Sequence, residues 1–152
     1  MWRVVAIFLV FLMPMDSFAK KKKTVEYADL IFDAESHLAY FNDKPYTGTV
    51  VRYYDNGQKA VQVSCKKGEV HGTLIEWYEN GKIKTKEQYS KGKRHGERSE
   101  WYESGAISKK RHYIDGKPHG PYSVWYESGQ KRGELNFFSG KVMSAKVWKP
   151  TG

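Results

Sequence analysis

The sequence predicts an all-β fold: an elongated single-layer antiparallel sheet of stacked β-hairpin repeats with a 24-residue period. Three observations carry this. Glycines recur at that spacing in three series: Gly48, Gly72, Gly96 and Gly120; Gly57, Gly81, Gly105 and Gly129; and Gly68, Gly92, Gly116 and Gly140. An aromatic pair keeps the same step, from Tyr53-Tyr54 through Trp77-Tyr78 and Trp101-Tyr102 to Trp125-Tyr126. A fixed period in this range is the signature of a stack of small supersecondary units. The composition agrees. A mean hydropathy of −0.72 is too polar for a large globular core, while 15% aromatic residues are too many for a disordered chain.

Residues 1–19 have the features of a signal peptide. Arg3 is followed by the apolar run Val4 to Met13, then Pro14, with Ser17 and Ala19 as small residues before a cut after Ala19. The run is shorter than the roughly 20 residues a spanning helix needs. The expected location is therefore secreted or periplasmic. Residues 20–27, opening on Lys20–Lys23, are expected as a basic N-terminal tail, residues 28–148 as the repeat array, and residues 149–152 as a C-terminal tail.

The array opens on an irregular hairpin over residues 25–42. Its strands are expected at Leu30-Ile31-Phe32 and Leu38-Ala39-Tyr40-Phe41, atypical because a terminal unit must cap an edge. Four units follow, from Gly48, Gly72, Gly96 and Gly120. Asn56-Gly57 and Asn80-Gly81 read as two-residue type I′ turns, with Ser104-Gly105 and Ser128-Gly129 in the same place. The second connection of each unit, such as Lys91 to Gly96, reads as a longer basic loop. Val147-Trp148 closes the sheet.

A two-residue turn fixes the register and the faces. It pairs Tyr78 with Ile83, Tyr102 with Ile107, Gly72 with Tyr89, Gly96 with Tyr113 and Gly120 with Phe137, so that an aromatic covers each glycine. It places Trp77 opposite Lys84, Trp101 opposite Ser108 and Trp125 opposite Arg132, on the other face. Trp77, Trp101 and Trp125, with Lys84 and Arg132, form the candidate partner-binding face. Gly72, Gly81, Gly96, Gly105, Gly120 and Gly129, with His71, His95 and His119, are structural repeat positions.

The pattern of glycine, Trp-Tyr-Glu, glycine, tyrosine, glycine and His-Gly over residues 28–148 resembles the MORN repeat in its variant form. That variant is common in bacterial antitoxin components of the YwqK type. The resemblance implies a twisted single-layer sheet, an association with membranes or lipid, and a role in protein–protein scaffolding.

Other chemistry finds little support in the residues. Successive histidines lie two strands, about 10 Å, apart, whereas zinc ligands each reach a metal at about 2 Å. His71, His95 and His119 cannot share an ion and are read as packing or hydrogen-bonding locally. Glu79, Glu103 and Glu127 repeat identically, unlike the dissimilar pair a catalytic site needs. The single Cys65 excludes an intramolecular disulfide and reads as a small core residue. No enzyme, metal or small-molecule cofactor is expected. The net charge of +9 favours acidic partners in general. The leading expectation is an exported non-enzymatic scaffold that binds a protein along one face, with no nucleic acid. The alternatives are an anionic-membrane-associated repeat, an antitoxin component and a cell-wall glycan-binding repeat.

Overall fold

The computed structural model describes residues 24–149; the expected signal peptide, residues 20–23 of the expected basic tail and residues 150–152 of the expected C-terminal tail lie outside the described residues. The architecture is the expected all-β array of stacked hairpins; among the described residues it comprises thirteen strands and one 3-10 turn at Tyr27–Asp29. Strands β1 (Thr24–Glu26), β2 (Ile31–Phe32), β3 (Ala39–Phe41) and β4 (Lys44–Pro45) are short. The array proper runs through β5 (Gly48–Tyr53), β6 (Lys59–Lys66), β7 (Glu69–Trp77), β8 (Ile83–Ser90), β9 (Lys93–Trp101), β10 (Ile107–Ile114), β11 (Lys117–Trp125), β12 (Lys131–Phe138) and β13 (Lys141–Val147). These nine strands form an antiparallel meander, and β1 adds to the β5 edge in parallel. Strands β2, β3 and β4 make a separate small sheet.

The two connections of each unit exchange the roles expected of them. At Tyr78–Gly81 the Gly81 N–H donates to the Tyr78 carbonyl at 2.9 Å, and the Tyr78 N–H to the Lys82 carbonyl at 2.8 Å. Gly81 has φ +81°, and Asn80 is not among the residues of positive φ. This is a type I turn followed by a left-handed glycine, not a type I′ turn. The tight two-residue turns lie where a long loop was expected. Lys91-Gly92 has φ of 49° and 72°, with Ser90 paired to Lys93. Lys67-Gly68, Asp115-Gly116 and Ser139-Gly140 repeat the pattern. Lys93 to Gly96, expected as loop, is strand.

The register follows from these turns. Gly72 pairs with Tyr89, Gly96 with Tyr113 and Gly120 with Phe137, as expected. Nearer the turn it shifts by one residue: Trp77 pairs with Ile83, Trp101 with Ile107 and Trp125 with Lys131. Lys84, Ser108 and Arg132 are left as the extra residue of a bulge, not as cross-strand partners of the tryptophans. Tyr78 and Tyr102 belong to the turns and pair with neither isoleucine. The glycine at the far end of the hairpin has its own reason. Gly96 sits at φ +100°, and a Cβ there would meet the Gln88 Cβ at 3.2 Å, so the missing side chain faces β8 rather than the aromatic across from it.

Residues paired across strands share a face. One row on the first face crosses the whole array: Val50, Val63, Leu74, Glu87, Arg98, Arg111, Tyr122, Leu135 and Ala145. The matching row on the second face is more polar: Val51, Gln62, Ile75, Lys86, Ser99, Lys110, Ser123, Glu134 and Lys146. The contiguous apolar cluster lies at the first end; away from it Tyr113 is buried beside Arg94 and Arg111. At the first end Val25, Leu30, Ala39, Tyr46, Val50 and Cys65 cluster, with Phe41 and Val63 against them. The segment expected as a tail thus contributes Val25 to the core, because β1 pairs with β5. Cys65 is the small core residue it was expected to be, and burial pushes its thiol pKa up.

Candidate functional site: a repeated aromatic margin and an ionic face

The Tyr78–Gly81 type of turn puts a tyrosine at its first position, and that tyrosine reaches into the next unit. The Tyr54 hydroxyl donates to the Trp77 carbonyl at 2.7 Å, Tyr78 to Trp101 at 2.7 Å and Tyr102 to Trp125 at 2.8 Å. Tyr126 continues to the Trp148 carbonyl at 3.4 Å. The margin is therefore a ladder in which each Trp-Tyr pair gives one residue to its own strand and one to its neighbour. Asn80 adds a second tie. Its Oδ1 accepts from the Lys82 N–H at 3.0 Å, and its Nδ2 donates to the Glu103 carbonyl at 3.3 Å. Asn56 does the same with Gln58 and Glu79. Asparagine thus stands before the glycine because its carboxamide works in both directions, not because it must adopt positive φ.

The candidate residues take these places. Trp77, Trp101 and Trp125 end β7, β9 and β11, each half-buried. Lys84 and Arg132 are exposed and lie over the tyrosines: Lys84 Nζ is 5.7 Å from the Tyr78 ring centre and the Arg132 guanidinium 5.6 Å from that of Tyr126. The cation beside Trp77 is Lys59, at 6.0 Å. The structure thus gathers tryptophan, tyrosine and cation along one margin of the array and attaches the cations to the rings of the neighbouring residue type. Glu79, Glu103 and Glu127 stand exposed in the turns.

The histidines mark the other margin. His71 Nδ1 accepts from the Lys91 N–H at 3.4 Å, His95 Nδ1 lies 3.3 Å from Asp115 Oδ1, and His119 packs against Phe138 with ring centres 5.3 Å apart. Each reaches the next unit's two-residue turn or its flanking residue. Backbone reinforces this edge: the Gly92 N–H donates to the Val70 carbonyl, Gly116 to Arg94 and Gly140 to Pro118.

The middle of the first face holds a network that the residue pattern did not single out. Glu87, with its side chain only 6% exposed, accepts from Arg94 Nε at 2.7 Å and Arg98 Nη1 at 3.0 Å. Glu100 accepts from Arg98 Nε at 2.9 Å and Lys109 Nζ at 2.9 Å. Burial opposes ionisation of Glu100, but Lys109 and Arg98 outweigh it and hold the carboxyl below its ordinary value. The hydrogen bond to Glu87 raises the Arg94 pKa. Beyond the network, the Arg111 guanidinium lies 3.9 Å from the Tyr122 ring centre, with Phe137 and Tyr113 at 5.7 and 5.9 Å. A usable signal was present in the sequence. Val50, Leu74, Arg98 and Tyr122 are 24 residues apart, as are Val63, Glu87, Arg111 and Leu135. Both series change character from unit to unit, while the glycines and the aromatic pair between them stay nearly constant.

A single layer of hairpins, tied unit to unit at both margins and presenting its variable side chains on open faces, defines a repeat scaffold. The chain belongs to the MORN repeat variant family, which matches residues 46–66, 70–91, 94–115 and 118–138, more than half of its length. This family is generally non-enzymatic. No curated protein matches the chain, so the antitoxin resemblance rests on the repeat alone.

Proposed function

We propose that the chain is an exported, non-enzymatic scaffold that binds a protein partner through the Trp-Tyr margin. The observation that carries this reading is the ladder of tyrosine hydroxyl to tryptophan carbonyl bonds, because it locks half-buried aromatics of successive units at one fixed spacing. Preorganised aromatic side chains with exposed cations beside them are the composition of interface hot spots. An extended partner suits the spacing, since no single pocket collects the rings.

The test replaces Trp77, Trp101 and Trp125 by alanine, singly and together, and compares capture of proteins from envelope extract with that by the parent. Trp101→Ala is expected to weaken the captured partner by about 2 kcal/mol while the sheet remains folded by circular dichroism. Undiminished capture by the folded triple variant would remove the margin as the binding surface. Export is tested separately, by the N-terminal sequence of the protein from the periplasmic or secreted fraction: Lys20 as the first residue supports it, and Met1 in a cytosolic fraction overturns it.

A second reading is contact with anionic lipid through the opposite margin. It draws support from Lys66, Lys67, Lys91 and Lys93, all exposed at or beside the two-residue turns. Lys109 to Arg111 do not join that margin: they lie within β10, with Lys109 paired to Glu100. Equal binding to neutral and anionic vesicles would end this reading.

A further inference from the structure

We infer that the outer edge of β13 is a docking edge for a strand of a partner protein in which apolar and acidic residues alternate. β13 is the last strand of the sheet, and among the described residues nothing pairs beyond it. All seven of its residues are exposed, Val147 at 79% and Met143 at 65%. The backbone groups on its outer side form a template for one more strand.

The faces of β13 set the chemistry of that strand. Val142, Ala145 and Val147 pair with Phe137, Leu135 and Gly133 and share the first face with them. An incoming strand would place apolar side chains there and continue the row from Tyr122 through Leu135 to Ala145. Lys141, Ser144 and Lys146 pair with Phe138, Asn136 and Glu134 on the second face. Incoming carboxylates would meet Lys141 and Lys146 there. No acidic residue occurs from Ser139 to Lys149, and Glu134 is already paired with Lys131. The lysines also argue against a second copy of the chain as occupant. Lysine on an edge strand disfavours pairing with a like edge, and each copy carries a net charge of +9. The bulge at Met143, the extra residue between Val142 and Ser144, interrupts the edge and leaves Ser144–Val147 as its regular part.

The experiment titrates the full chain with a capped, dye-labelled peptide of alternating valine and glutamate, threonine at its centre, against the same peptide with lysine for glutamate. Fluorescence anisotropy is expected to show binding of the acidic peptide and none of the basic one, and amide exchange to slow within Ser144–Val147. The double variant Lys141→Glu, Lys146→Glu alters two exposed side chains. It should weaken the acidic peptide by about tenfold, the combined worth of two cross-strand charge pairs, and gain binding of the basic one. Alanine at Trp77, Trp101 and Trp125 should leave peptide binding unchanged, so this inference and the Trp-Tyr margin fail separately. Three results would overturn it: no binding of the acidic peptide, protection outside β13, or sedimentation showing a dimer of the chain whose formation protects β13. The last would assign the edge to a second copy.

Discussion

At the β5–β6 end of the sheet, Val50, Val63 and Cys65 pack with Val25 of the adjoining β1 and with Leu30, Ala39, Phe41 and Tyr46 from the segment that carries the small β2–β3–β4 sheet, and Val50 is left 2% exposed. At the β11–β12 end, Tyr122, Leu135 and Phe137 occupy the equivalent positions of the fourth unit, and none of them is buried. The repeat backbone is the same at both ends. What differs is whether a second layer covers the first face. Between them, where nothing covers it either, the equivalent positions are Glu87, Arg98 and Arg111, which satisfy one another or stack on rings. A single-layer sheet thus tolerates three solutions at equivalent repeat positions: an apolar core under a cap, an ion-pair network around the buried Glu87, and half-exposed aromatics. Stability is expected to follow the cap, and interaction surface the uncovered end.

The largest effect should come from the capped end. Tyr46 is buried and its hydroxyl donates to the Thr49 carbonyl at 3.0 Å. Tyr46→Ala is expected to cost about 3–5 kcal/mol. Leu135→Ala, at the uncovered end, removes a half-buried side chain and should cost only about 1 kcal/mol. Urea melts of the two variants compare the ends directly. Equal losses would mean that the cap carries no special share of stability.

Glycine substitutions should come next. Gly96→Ala meets both a φ of +100° and the Gln88 Cβ at 3.2 Å. Gly120→Ala, the same position one unit on, meets only the backbone strain of φ +75° with open space beyond. Gly96→Ala is expected to cost about 1–3 kcal/mol and Gly120→Ala measurably less. The reverse order would show that the neighbouring strand yields more readily in the middle than at the end.

The hydroxyl ladder sharpens the contrast at smaller scale. Tyr78→Phe loses a 2.7 Å bond and is expected to cost about 1 kcal/mol. Tyr126→Phe loses the 3.4 Å bond of the last rung and should cost less in thermal melts. The smallest effect concerns pH. Glu100 has its folded pKa lowered by Lys109 and Arg98 against burial. Its contribution is therefore present above the ordinary glutamate value of 4.5 and lost as pH falls through the lower folded value. Glu100→Gln should lose less of its melting temperature on acidification than the parent. An identical acid profile would place the acid sensitivity elsewhere on the ionic face.

Much of this was legible in the chain, and one compensation explains why. Counting from a two-residue Asn80-Gly81 turn pairs Gly72 with Tyr89, which is the observed register. The real turn is one residue longer, and the bulge at Lys84 cancels the difference. The register is therefore right beyond the bulge and wrong at Trp77 and Tyr78, where the candidate face had been drawn. The tight turns were missed because Lys67-Gly68 and Lys91-Gly92 lack the Asn-Gly signal. Their conformation is held by the preceding unit, through bonds such as Gly92 N–H to the Val70 carbonyl at 2.9 Å.

By itself the sequence determined the period, the strand number per unit and the aromatic and glycine positions, since those are local requirements of a hairpin repeated many times. The tertiary structure alone decided which turn is tight, that Val25 and Tyr46 complete a core at one end, and that Glu87, Arg98 and Arg111 meet on one face. Each of these depends on contacts between neighbouring units, or between a unit and the cap. Glu87 and Arg98 stand in consecutive units, and Val25 and Tyr46 precede the first full unit, so the pattern of one unit does not show that they meet.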